Sequence, residues 1–140
     1  MPRSARLPIS ALAFQRVPSG TSVADLLVDT DVCVDHLSGQ RRLPRGAGRL
    51  GYSVITRAEL LAGAGEGDEA HIRRLLAGMD EIPADRRIAD RAGLLRRTVA
   101  GLKMPDALIA ATALVHSVAV HTNNTRDFRA VPGLRLHRRV

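Results

Sequence analysis

Acidic side chains follow apolar segments at four places along this chain. Asp29 directly follows Leu26-Leu27-Val28, with Asp31 two residues on. Glu59 sits three residues after Thr56, at the start of a helical pattern, and Asp106 follows Pro105 at the head of an almost wholly apolar stretch. Asn124 and Asp127 come just after Val118–His121. Three or four carboxylates gathered around one cavity repel one another unless a divalent cation neutralises them, and hard oxygen ligands select Mg²⁺ or Mn²⁺. One or two such ions can polarise a phosphate and activate water for in-line attack. Each acid also has a purely structural use. Thr56-Arg57-Ala58-Glu59 fits a capping box, Asp106 after Pro105 is a favoured helix start, and Asn124 and Asp127 fit a turn or a helix cap. Asp29 is the hardest to assign in that way, because a carboxylate closing a buried strand needs a partner.

The intervening segments supply a scaffold. Leu26–Val28 reads as a short strand buried on both faces, and Asp31–Leu37 as a helix stopped near Gly39. Tyr52–Ile55 is a second strand, followed by a helix from Thr56 that Gly63 and Gly65 break. Asp68–Leu76 and Ala84–Val99 carry helical apolar stripes, with Ile82 in a short link between them. Pro105–Val115 is a buried helix, Val118–His121 a third strand and Leu134–Leu136 a fourth. Alternating strands and helices predict an α/β fold with a short central parallel sheet and helices on both faces. In such sheets, sites form beyond the carboxyl ends of the strands, where all four acidic positions can meet. Residues 1–22 have no periodicity and hold Pro2, Pro8, Pro18 and Gly20, so they are expected to form a flexible tail ahead of a single domain over 23–140.

The 140 residues carry 21 Lys+Arg against 14 Asp+Glu, a net charge of +7 that favours a polyanionic partner. The lone Cys33 excludes an internal disulfide and suits a reducing compartment, so a cytoplasmic location is expected. Leu7–Phe14 is interrupted by Pro8 and Ser10 and is not read as a secretory leader. No apolar run has the roughly 20 residues of a membrane span. Arg41, Arg42, Arg45 and Arg49 lie in a Gly/Pro-containing loop that suits either RNA contact or plain solvation. Tyr52, Phe14 and Phe128 are the only aromatics, too few for a base-stacking platform.

The motifs taken together resemble those of PIN-domain ribonucleases, in particular the VapC-type toxins. Leu26-Leu27-Val28-Asp29-Thr30-Asp31 is similar to the first strand and first acid of that family. Thr56-Arg57-Ala58-Glu59-Leu60-Leu61-Ala62-Gly63 is similar to the second acidic motif, Pro105-Asp106-Ala107-Leu108-Ile109-Ala110-Ala111-Thr112-Ala113 to the third, and Thr122-Asn123-Asn124-Thr125-Arg126-Asp127-Phe128 to the fourth. Order and spacing match from Leu26 to Arg138, about four-fifths of the chain. The resemblance implies a three-layer α/β/α PIN-like fold and a Mg²⁺- or Mn²⁺-dependent endoribonuclease. It further implies a homodimer restrained by a cognate antitoxin protein. It carries over Asp29, Glu59 and Asp106 as metal ligands. Asn124 stands where many members have an acid, so Asp127 is the candidate fourth catalytic acid and metal ligand. Thr30 and Asp31 are candidates, with Asn124, for orienting water or phosphate. The segment before Val23 departs from the family pattern.

Two other readings compete. Asp29-Thr30-Asp31 after a buried strand also resembles haloacid-dehalogenase-type phosphatases, in which the first Asp is a nucleophile. That family commonly has Thr or Val two residues after the second Asp, where this chain has Cys33. A non-catalytic nucleic-acid-binding regulator is the other; it leaves the three core acids without a purpose.

Overall fold

The computed structural model describes residues 23–137; the expected tail, residues 1–22, lies outside them. Among the described residues, four strands form one all-parallel sheet: β1 (Leu26–Val28), β2 (Leu50–Ser53), β3 (Asp80–Ile82) and β4 (Ala119–His121), in the order β3-β2-β1-β4. The helices are α1 (Thr30–Leu37), α2 (Val54–Ala62), α3 (Glu69–Ala77), α4 (Arg86–Thr98), α5 (Met104–His116) and α6 (Thr125–Arg129). Register pairs Leu26 with Leu50 on one side of β1 and with Ala119 on the other.

Successive strand residues point to opposite faces, and β1 splits its side chains accordingly. Leu27 joins a core with Ile82, Val120 and the inner stripes of α4 and α5 (Ile88, Ala92, Leu95, Ile109, Ala113). Val28 joins a second core with Val32, Cys33, Tyr52, Leu60, Ile72 and Leu76, contributed mainly by α1, α2 and α3. Two apolar layers on one two-faced sheet make the expected three-layer α/β/α arrangement. Phe128 anchors α6 in the first core with no solvent exposure. Gly51 lets β2 approach Ala24, since a Cβ there would stand 2.6 Å from the Ala24 Cβ.

Three elements differ from the sequence reading. The expected link at Ile82 is strand β3, paired through Gly51–Asp80, Tyr52–Glu81 and Ser53–Ile82. Only Ile82 of its three residues is buried, so an edge strand with two polar residues left no apolar run to detect. Strand β2 ends at Ser53, whose hydroxyl accepts from the Ile55 amide at 3.1 Å and caps α2. The helix therefore starts two residues before Thr56, the Thr56–Glu59 capping box does not form, and Glu59 lies in the second turn. The fourth expected strand reduces to one parallel bridge between Leu136 and Val120.

Candidate active site

Strands β1, β2 and β4 deliver their following residues to one edge of the sheet. Asp29 is the N-cap of α1, and its Oδ1 accepts from the Thr30 amide at 2.8 Å. Its Oδ2 accepts from the Thr122 hydroxyl, just beyond β4, at 2.7 Å. The residue is only 4 % exposed. Burial pushes its carboxyl up to about 7, reinforced by Asp31 and Asp106 and opposed by the Thr122 and Thr30 hydrogen bonds. Thr30 links two acidic motifs, because its hydroxyl donates to Glu59 Oε1 at 2.7 Å and lies 2.9 Å from the Thr56 hydroxyl.

Asp106 stands in the first turn of α5, which Met104 and Pro105 open and for which Lys103 is the N-cap residue. Its carboxyl is also raised, by burial first and then by Glu59 and Asp127, with Lys103 opposing and Asp31 adding. Asp29, Asp31, Glu59, Asp106 and Asp127 thus share one electrostatic neighbourhood although four separate segments contribute them. Asn124 Nδ2 donates to Asp127 Oδ2 at 3.0 Å, and its amide donates to the Thr122 hydroxyl at 2.9 Å. Asp127 lies in the first turn of α6, which starts at Thr125. The N-cap residue of that helix is Asn124, so Asp127 is not its cap.

Hard carboxylate oxygens gathered beyond the strand ends suit Mg²⁺ or Mn²⁺, and a cation there would offset the burial and like-charge repulsion that hold the Asp29 and Asp106 carboxyls above their ordinary range. Among the described residues no three of them stand together as a ready-made cation cage. Two features escaped the sequence reading. In the sequence Thr122 stands out only as part of a motif, although its hydroxyl ties β4 to Asp29. Asn123 bridges to α1: its amide donates to Asp31 Oδ1 at 3.3 Å and its Nδ2 to Asp35 Oδ2 at 2.7 Å. No local signal marks such pairs, whose partners are 88 to 93 residues apart.

The basic loop divides. Arg49 forms an exposed ion pair with Asp80 at 3.6 Å, while Arg41, Arg42 and Arg45 are exposed. No helix among the described residues is long and apolar enough to cross a membrane. Burial drives the Cys33 thiol up to about 12, so it serves as a core side chain.

The chain is thus a three-layer α/β/α sandwich with acidic side chains beyond the carboxyl ends of a parallel sheet, the edge where such folds carry their sites. The PIN domain model matches residues 26–134, and the chain belongs to that family. It is 36 % identical over 113 residues to Ribonuclease VapC10 of Mycobacterium tuberculosis, covering 74 % of this chain and 85 % of the relative. To Ribonuclease VapC19 of the same organism it is 32 % identical over 119 residues, covering 77 % and 95 %. Among solved structures, a toxin–antitoxin complex from Klebsiella pneumoniae matches with a TM-score of 0.66 and 35 % identity, over 78 % of this chain and 94 % of that one.

Proposed function

We propose that this chain is a Mg²⁺- or Mn²⁺-dependent endoribonuclease and the toxin of a type II toxin–antitoxin pair, acting on cytoplasmic RNA. The observation that carries the reading is the convergence of Asp29, Glu59 and Asp106 at one sheet edge, in a chain whose relatives are VapC ribonucleases. The metal, when bound, supplies positive charge to the phosphate and acidifies water. Asp29, Glu59 and Asp106 would hold it. The Thr30 and Thr122 hydroxyls orient two of these carboxylates, on Glu59 and Asp29 respectively. Asp127 adds negative charge and Asn124 orients water or phosphate, assisted by Asp31. The basic surface, including Arg41, Arg42 and Arg45, draws in RNA.

The phosphatase alternative asks Asp29 to attack as a nucleophile, but the family match and the VapC relatives support the ribonuclease reading instead. The antitoxin reading rests on an apolar groove of about 300 Å³ lined by Val34, Leu37, Leu60, Ala64 and Ile72, with Glu59 at its wall. Val34 and Leu37 are 49 % and 36 % exposed. An apolar antitoxin segment laid there would reach Glu59 and so restrain the site. A homodimer is the proposed assembly, to be measured by light scattering.

The decisive experiment incubates purified chain with cellular RNA and maps new 5′ ends. Cleavage with Mg²⁺ or Mn²⁺ that stops in EDTA and in Asp106→Asn is expected. Equal cleavage by the variant and by the EDTA-treated chain would refute the reading.

A further inference from the structure

Beside the acidic edge lies a polar cleft of about 800 Å³, lined in part by the fourth motif but by none of the proposed metal-holding acids. Thr122 and Asn123 form the wall common to both. Arg41 from the loop after α1 and Arg129 from the end of α6 also line it. Among the described residues neither guanidinium forms an ion pair, whereas Arg49, Arg57, Arg73 and Arg87 each do. The loop is held in place: the Gln40 and Arg41 amides donate to the Asp35 carbonyl at 2.9 and 3.4 Å, and the Leu43 amide donates to His36 Nδ1 at 3.2 Å. Arg41 therefore leaves an anchored backbone.

The rest of the lining is equally organised. Leu134 and Leu136 are half-buried and give an apolar surface. The His137 ring is fixed by a 3.0 Å contact between its Nδ1 and that of buried His121, and its amide donates to the Val120 carbonyl at 2.8 Å. Asp35 is the one carboxylate in the lining, and the Asn123 side chain already donates to it. Two guanidinium groups with no ion pair among the described residues, an apolar surface and amide groups suit a nucleotide: phosphates to the arginines, a base against the leucines, a base edge to Gln40. The volume lies within the range of ordinary ligand pockets.

We infer that this cleft seats the nucleotide flanking the scissile phosphate, with Arg41 and Arg129 binding its phosphates and Gln40 reading its base. The inference rests on the ribonuclease reading and extends it to substrate selection. It would give a protein without a stacking platform a means of choosing among RNA sequences.

The test measures fluorescence anisotropy of a labelled single-stranded RNA decamer with full-length chain carrying Asp106→Asn, in Mg²⁺. Adding Arg41→Ala with Arg129→Ala should weaken binding at least tenfold. It should also flatten the slope of log affinity against log salt by about 1.4, as expected when two phosphate contacts to a single strand are lost. Arg74→Ala with Arg86→Ala removes the same charge from exposed positions on α3 and α4 and should change affinity less than threefold. Gln40→Ala in the cleaving chain should alter the sequence preference at mapped cut sites. If the wild-type chain cleaves RNA but the Arg41/Arg129 variant binds with unchanged affinity and slope, the cleft assignment alone falls. Unchanged cut sites in Gln40→Ala overturn its base-reading role. A chain that neither binds nor cleaves RNA overturns this inference together with the ribonuclease reading.

Discussion

The Thr122 hydroxyl donates to Asp29 Oδ2 at 2.7 Å across 93 positions of sequence, joining the ends of two adjacent strands at a buried carboxylate. Burial raises the Asp29 carboxyl and this hydrogen bond lowers it. Thr122→Val keeps the shape and deletes the donor, so Asp29 should hold its proton to higher pH. At pH 7 and limiting Mg²⁺, where the proton and the metal compete for Asp29, cleavage is expected to fall by about tenfold, the scale of one hydrogen bond to a charged group. Activity should recover as pH rises, and Thr122→Ser should restore the wild-type profile. A loss in Thr122→Val that does not vary with pH would assign Thr122 to packing instead.

The metal-free chain should be less stable at neutral pH than its folded core allows. Asp29 titrates near 7 when folded and near 3.8 in an ordinary setting. Between those values the unfolded chain binds fewer protons than the folded one, so this group's contribution to stability falls as pH rises. Asp29→Asn removes the slope and keeps the cap, since Asn is as good an N-cap as Asp. In EDTA, the variant should melt several degrees above wild type at pH 7.5, and the difference should vanish near pH 4. Equal melting at both pH values would show that Asp29 carries no such penalty.

Asp29→Asn, Glu59→Gln and Asp106→Asn should each reduce cleavage by at least a hundredfold while circular dichroism stays native. Removing one charge from a crowded acidic site relieves repulsion, so none should destabilise the metal-free fold. Wild-type cleavage by Asp106→Asn would leave its carboxylate as a helix-start feature only.

The fourth position separates by titration. Asp127 contributes negative charge near Asp106, and Asn124 donates to it. Mn²⁺ affinity should drop several-fold in Asp127→Asn and little in Asn124→Ala, with cleavage reduced in both. Unchanged Mn²⁺ binding in Asp127→Asn would remove it from the ligand set.

Val34→Asp with Leu37→Asp should abolish co-purification with the cognate antitoxin and leave RNA cleavage intact, because both side chains line the groove and are partly exposed. Retained co-purification would move the antitoxin interface elsewhere.

Much of this arrangement is written in local chemistry. The buried run Leu26–Val28 closed by Asp29, the apolar stretch opened by Pro105-Asp106, and the alternation of strands and helices are readable because burial and helix starts leave periodic or positional marks in the sequence. They determine a parallel α/β sandwich and the edge where acids collect. Strand β3 left no such mark, since an edge strand with Asp80 and Glu81 exposes two of its three side chains and only backbone pairing to β2 makes it a strand. The start of α2 was also decided by context: Ser53 caps it at the end of β2, which moves Glu59 into the second turn and within reach of the Thr30 hydroxyl. Tertiary structure alone decided that Thr122 holds Asp29, that Asn123 bridges to α1, and that Arg41 and Arg129 face one cleft while Arg49 pairs with Asp80. The physical reason is the same in each case. A side chain's type reports what it can bond, and only chain folding decides which distant partner comes within 3 Å.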